Sequence, residues 1–276
     1  MGKEKRIAQP LDYRTAIFLA AVCSQTYLQY VNPGGLFLMP KSYSLVGEIT
    51  AKGYGAYAER FGFVIESEQA GIVAFRGTSS VTDWVSDFIA QQIPYRPVKN
   101  AGSTHKGFTD LYMSARESLF VLLDRLPQDK PLFITGHSLG GALSTLAALD
   151  IASNKPFTNP IVYTFGAPRV GDPAFVRSYN GRIGTHWRFQ NEYDIVPHLP
   201  PIIYQQPNTD NVYYYMHVKG EVPREFKGGS VSGNHVISSY FADLAKEDPS
   251  FAAAVCTEPP GWCPLPEQAN ESPQTG

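Results

Sequence analysis

The chain of 276 residues has little cysteine, little excess charge and no long hydrophobic run. Three Cys (Cys23, Cys256 and Cys263) are too few for a disulfide-built scaffold. Lys and Arg number 23 against 25 Asp and Glu, so the net charge is −2 and there is no electrostatic footprint for nucleic acid. Charged residues are only 17% while apolar residues reach 43%, which excludes disorder of the whole chain. The longest apolar candidate, Ala16 to Cys23, is too short to cross a bilayer. It has the look of a signal-peptide core, but Asp12 and Arg14 precede it, Pro10 breaks the approach, and no small-x-small cleavage site precedes Gln25. A buried helix is the better reading. A soluble chain with no visible signal peptide and no transmembrane segment is expected, with secretion and cytoplasm both open. Oligomeric state is also open.

Aromatics are what the chain has in plenty: 16 Tyr and 16 Phe, fitting a large packed sheet or a greasy groove. There are no repeats and no Gly/Ser linker, so one domain is expected over 11–256. Residues 1–10 read as an exposed arm, and 257–276 as a mobile tail rich in Pro and Glu. Helices are expected over Leu11–Tyr30, Phe108–Leu126, Ala142–Ala152 and Val236–Ala245. Strands are expected over Gly62–Glu66, Gly71–Arg76, Pro131–Thr135, Ile161–Phe165, His186–Gln190 and Val212–Val218. Paired strands followed by strand-helix alternation give an α/β sheet, parallel at its centre, with ligands beyond the carboxyl ends of its strands. Cys23 reads as a small buried apolar residue. Cys256 and Cys263 flank a Pro-Pro-Gly turn, where a disulfide would fit an exported chain.

The segment Gly136-His137-Ser138-Leu139-Gly140 is a G-x-S-x-G with an apolar run before it and a helix pattern after it. A serine projected at so sharp a strand-to-helix turn needs small residues two before and two after, where strand and helix nearly touch. The bare motif is weak; its context strengthens it. A serine hydroxyl needs a base, and the base an orienting carboxylate, in the chain order Ser, acid, His. Of six His, His105 precedes the elbow and His137 lies inside it. His186 and His198 leave no clear acid between themselves and Ser138. His217 falls inside a Tyr-rich strand and reads as structural. His235, in a loop before the last helix, is best placed as base. Asp194, just past a strand in a Pro-rich turn, is the candidate acid. Asp172 and Glu192 are rivals, although Asp172 before Pro173 reads more simply as a helix cap.

Several segments together resemble the class 3 lipases, the group typified by the triacylglycerol lipases of filamentous fungi. They are Phe75–Phe88 (FRGTSSVTDWVSDF), HKGF at His105, GHSLGGALS at Gly136, TFGAPRVGD at Thr164, NEYDIVPHLPP at Asn191 and NHVISSY at Asn234. They run in that family's order over most of the chain. The resemblance implies an α/β-hydrolase fold: a central mixed, mostly parallel sheet flanked by helices, with a short helical lid. It implies lipase or esterase chemistry on Ser138, Asp194 and His235, an oxyanion hole from Thr78 and Leu139, and no metal or organic cofactor. It implies a lipid ester substrate, met at a lipid–water interface. Phospholipase A1 and feruloyl-type esterase are alternatives, and a non-catalytic lipid-binding protein is a remote one. Ser80–Ala90 occupies the lid position, where Val81, Trp84, Val85, Phe88 and Ile89 form one apolar stripe. Periodicity alone favours a surface helix packed permanently on the core; the position directly after Thr78 favours a lid. Tyr27 aligns loosely with an acyl-pocket aromatic. Three Cys are too few to reproduce the disulfides of the fungal enzymes.

Overall fold

The computed structural model describes residues 9–53, 57–78 and 90–264. Helix α1 runs Tyr13–Val31. Asp12, which argued against a signal peptide, is its cap, accepting from the backbone N–H groups of Arg14 and Thr15. Strands β1 (Ser44–Lys52), β2 (Ala58–Glu66) and β3 (Gly71–Phe75) form an antiparallel meander. The short β4 (Gln92–Pro94) and β5 (Ser103–His105) pair with each other. Then come α2 (Lys106–Leu123), β6 (Leu132–His137), α3 (Leu139–Asn154), β7 (Ile161–Phe165), α4 (Pro173–Arg182) and β8 (Thr185–Asn191). A two-stranded ribbon follows, β9 (Ile203–Gln205) with β10 (Val212–Tyr214), then β11 (Glu221–Arg224), α5 (Ile237–Leu244) and α6 (Pro249–Thr257).

Among the described residues the main sheet has seven strands in the order β1-β2-β3-β6-β7-β8-β11. From β3 to β11 every pairing is parallel. This is the mixed, mostly parallel sheet of an α/β-hydrolase fold. Side chains alternate across it, so one strand feeds two cores. Val73, Phe75, Ile134 and Val162 pack on one face with α2 and α3; Ile72, Ala74, Tyr163 and Phe165 pack on the other with α1 and α5. The central strands are therefore apolar on both faces.

The structure corrects several expectations. β1 carries exposed and half-buried positions that hid its pattern. The strand expected over Val212–Val218 stops at Tyr214, with only an isolated bridge from Met216 to Gly171, so His217 lies outside it. The tail expected from Thr257 is held as far as Pro264. Cys256 and Cys263 are disulfide-bonded with Cα atoms 5.2 Å apart, Trp262 is 1% exposed, and its carbonyl accepts from Gln25 of α1. Cys23 is buried and free, its thiol pushed up to about 12 by burial. Among the described residues no helix is long and apolar enough to cross a membrane.

Candidate active site

β6 ends at His137 and α3 begins at Leu139, so the chain reverses at Ser138 alone. Ser138 takes φ 58° and ψ −128°, a conformation that costs a non-glycine residue on the order of 1–3 kcal/mol. Its neighbours explain how the turn closes. A Cβ on Gly136 would stand 2.2 Å from the Gly140 carbonyl oxygen, and one on Gly140 would stand 2.2 Å from that of Phe75. Only hydrogen fits at either place. The Ser138 side chain makes no capping bond to the helix, and its buried Oγ has no hydrogen-bond partner among the described residues.

Two loops from the carboxyl end of the sheet meet beside this turn. Asp194 lies past β8 and His235 lies just before α5; both are fully buried. His235 Nδ1 donates to Asp194 Oδ2 over 2.7 Å. The Tyr240 hydroxyl donates to the same oxygen over 2.7 Å, and the Val196 N–H donates to Oδ1 over 2.9 Å. Burial first, then the Asp194 charge, hold the Tyr240 phenol well above its usual range, so it remains a donor. The carboxylate thereby accepts three hydrogen bonds and fixes one imidazole nitrogen. The other, His235 Nε2, is buried with no partner among the described residues. Asn191 braces both loops: its Nδ2 donates to the Asn234 carbonyl, and its backbone N–H donates to the Tyr240 hydroxyl.

The rival residues are committed elsewhere. Asp172 caps α4, accepting from the Phe175 N–H over 2.7 Å. Glu192 is exposed. His105 caps α2. His217 Nε2 donates to the Pro197 carbonyl. His186 is bonded at both nitrogens, to Tyr179 and Thr164, and burial holds its pKa well below the usual value.

Leu139 opens α3, where backbone N–H groups lack an intrahelical acceptor and the helix dipole favours negative charge. Thr78 is half-buried, three residues past the end of β3. Tyr27 is half-buried on α1, and its hydroxyl lies 2.7 Å from His137 Nδ1. The proposed lid stripe, Val81, Trp84, Val85, Phe88 and Ile89, lies outside the described residues. Sequence reasoning missed Tyr240, Asn191 and His137. Tyr240 stands five residues after His235 in the quoted NHVISSY segment, and His137 is the second residue of the elbow.

The family model for class 3 lipases matches residues 72–204. A lipase of Rhizomucor miehei is 40% identical over 142 residues, covering 49% of this chain and 39% of its own. A rice protein, phospholipase A1-II 3 of Oryza sativa subsp. japonica, is 30% identical over 230 residues, covering 72% of this chain and 54% of its own. A solved structure of a triacylglycerol lipase whose catalytic centre is a serine-protease triad is 30% identical with a TM-score of 0.61, over 71% of this chain and 77% of that one. The chain spans about half the length of the curated relatives it matches.

Proposed function

Because the chain belongs to the class 3 lipase family, we propose that it is a serine hydrolase of lipid carboxylic esters, with triacylglycerol as the leading substrate class. One observation carries this reading. Ser138 Oγ and His235 Nε2 are both buried and have no hydrogen-bond partner among the described residues, while the far nitrogen of His235 is anchored to Asp194, which accepts three hydrogen bonds. Unpaired buried polar atoms are costly and rare, and a site that must accept a reacting group is where they are tolerated.

In this reading Ser138 Oγ attacks the ester carbonyl while His235 Nε2 takes its proton. Asp194 stabilises the imidazolium without itself being protonated. The tetrahedral oxygen is held by the Leu139 N–H and by Thr78, each donor contributing about 3–4 kcal/mol. His235 returns the proton to the departing alkoxide, leaving an acyl-Ser138, and water repeats the sequence to release the acid. The Tyr27 ring borders the acyl chain, and the Val81–Ile89 stripe meets the lipid.

A second reading, phospholipase A1, is favoured by the rice relative, whose match spans 72% of the chain. Hydrolysis of tributyrin through its solubility limit, beside sn-1 release from phosphatidylcholine vesicles, separates the two. The triacylglycerol reading expects a tributyrin rate that jumps when droplets form and slow vesicle hydrolysis. Faster vesicle hydrolysis would establish the phospholipase. No hydrolysis of either would sink both.

A further inference from the structure

His137 is the immediate chain neighbour of Ser138, yet its imidazole reaches the other half of the site. Its Nε2 lies 2.7 Å from the carbonyl oxygen of His235, and the two rings stand 4.6 Å apart. A carbonyl only accepts, so His137 Nε2 carries the proton. In the neutral ring Nδ1 must then accept, and the partner within reach is the Tyr27 hydroxyl at 2.7 Å. The tautomer set by the His235 carbonyl is therefore held from α1 as well. Burial, and next to it His235, hold the His137 pKa well below its usual value, so the ring is neutral when His235 takes up a proton.

Tyr27 also touches the third part of the site. A Cβ on Gly77 would come within 2.2 Å of the Tyr27 hydroxyl, 2.9 Å of the His137 carbonyl oxygen and 3.1 Å of Ser138 Cβ. Gly77 directly precedes Thr78. Its own carbonyl accepts from the buried Arg76 guanidinium over 2.9 Å, and that group lies over the Tyr30 ring, one helical turn from Tyr27.

We propose that Tyr27 and His137 are positioning residues for the hydrolysis assigned above: the bond sequence Tyr27 hydroxyl, His137 ring, His235 carbonyl sets where the base stands relative to Ser138. The inference rests on the hydrolase reading. Without the Tyr27 hydroxyl, His137 Nδ1 becomes a buried acceptor with no donor and the ring loses the bond that fixes its orientation from α1. The Nε2–H then holds the His235 carbonyl less well, and the backbone that aims the base shifts. Displacement by a fraction of an ångström weakens proton transfer far more than ground-state binding.

The test is kcat and KM on the soluble ester p-nitrophenyl butyrate, with inactivation by an alkyl phosphonate alongside. Tyr27→Phe keeps the ring and should lower kcat and the inactivation rate about tenfold, with KM within about twofold. His137→Leu should cost about a hundredfold, and His137→Gln, whose amide can still donate to the His235 carbonyl, should recover most of that loss. The downfield proton resonance of His235 Nδ1–H should broaden or shift in Tyr27→Phe. A melting temperature unchanged in Tyr27→Phe, beside a reduced kcat, supports positioning. Full kcat in Tyr27→Phe, or equal losses in His137→Leu and His137→Gln, overturns it while leaving the hydrolase reading intact. A wild-type protein inert to both ester and phosphonate overturns the hydrolase reading and this inference together.

Discussion

Among the described residues two aspartates are fully buried, and both accept a hydrogen bond from a buried tyrosine over 2.7 Å. Asp150, on α3, is closed off by Arg116 through Nε at 2.6 Å and Nη2 at 3.2 Å, with Asn154 on the remaining side. Asp194 has His235 where Asp150 has its arginine. The Asp150 hydrogen bond raises the Arg116 pKa further, so that charge is permanent and the cluster is a clamp between α2 and α3. A histidine partner gains and loses its charge, and this one keeps a second nitrogen without a partner among the described residues. Burial and a carboxylate that accepts several hydrogen bonds are common to both regions. What separates a clamp from a site is whether the partner can change protonation and whether an atom is left without a bond.

Substitutions should split the two regions cleanly. Ser138→Ala should remove about 10⁶ of the ester-hydrolysis rate, leaving only the contribution of the oxyanion donors and binding. Asp194→Asn should lower kcat by about 10⁴, because the amide favours the wrong imidazole tautomer, with a small change in melting temperature. Asp150→Asn should do the reverse. Chemical denaturation should show a loss of about 3 kcal/mol, the low end for breaking a buried pair since Arg116 keeps partial access to water, and kcat of the folded fraction should be unchanged. If Asp194→Asn destabilised as much as Asp150→Asn while keeping its rate, the two clusters would be the same kind of object.

The last effect concerns pH. Burial holds His137, His186 and His217 well below the ordinary histidine value. An unfolded histidine titrates near about 6.5. Below that pH the unfolded chain takes up protons that the folded one refuses, so this stability is present above about pH 6.5 and is lost as pH falls. Each residue adds a slope of up to about 1.4 kcal/mol per pH unit. Calorimetry from pH 8 to 5 should show the decline, and His186→Gln should flatten it by one such increment.

The elbow that carries the proposed nucleophile was legible because its constraints are local. Gly136, Ser138, Gly140 and the flanking periodicities lie within one strand-turn-helix, and the contacts that make each glycine necessary involve that turn and the end of β3. The sheet was legible where strands are buried on both faces, as in β3, β6 and β7, and illegible in β1, whose partial exposure breaks the apolar run. The side of the proposed base is different. Its bonds join residues 41, 46 and 98 positions apart. Chain order, loop and strand-end placement and the family resemblance together favoured His235 and Asp194 over their rivals, but no periodicity announces that Tyr240 shares the carboxylate or that His137 bonds the His235 carbonyl. The packed segment through Trp262 was hidden for another reason. A composition of Pro, Glu and Gln reads as solvated, and one buried indole with one disulfide outweighs it.

The most direct measurement is peptide mapping by mass spectrometry after a brief exposure to a p-nitrophenyl alkylphosphonate, with release of p-nitrophenol followed in parallel. One equivalent of p-nitrophenol, with the adduct on the peptide carrying Ser138 and none on Ser138→Ala, is the expected result. An adduct on another residue, or none while wild-type protein still hydrolyses esters, would contradict the assignment of Ser138 as the nucleophile.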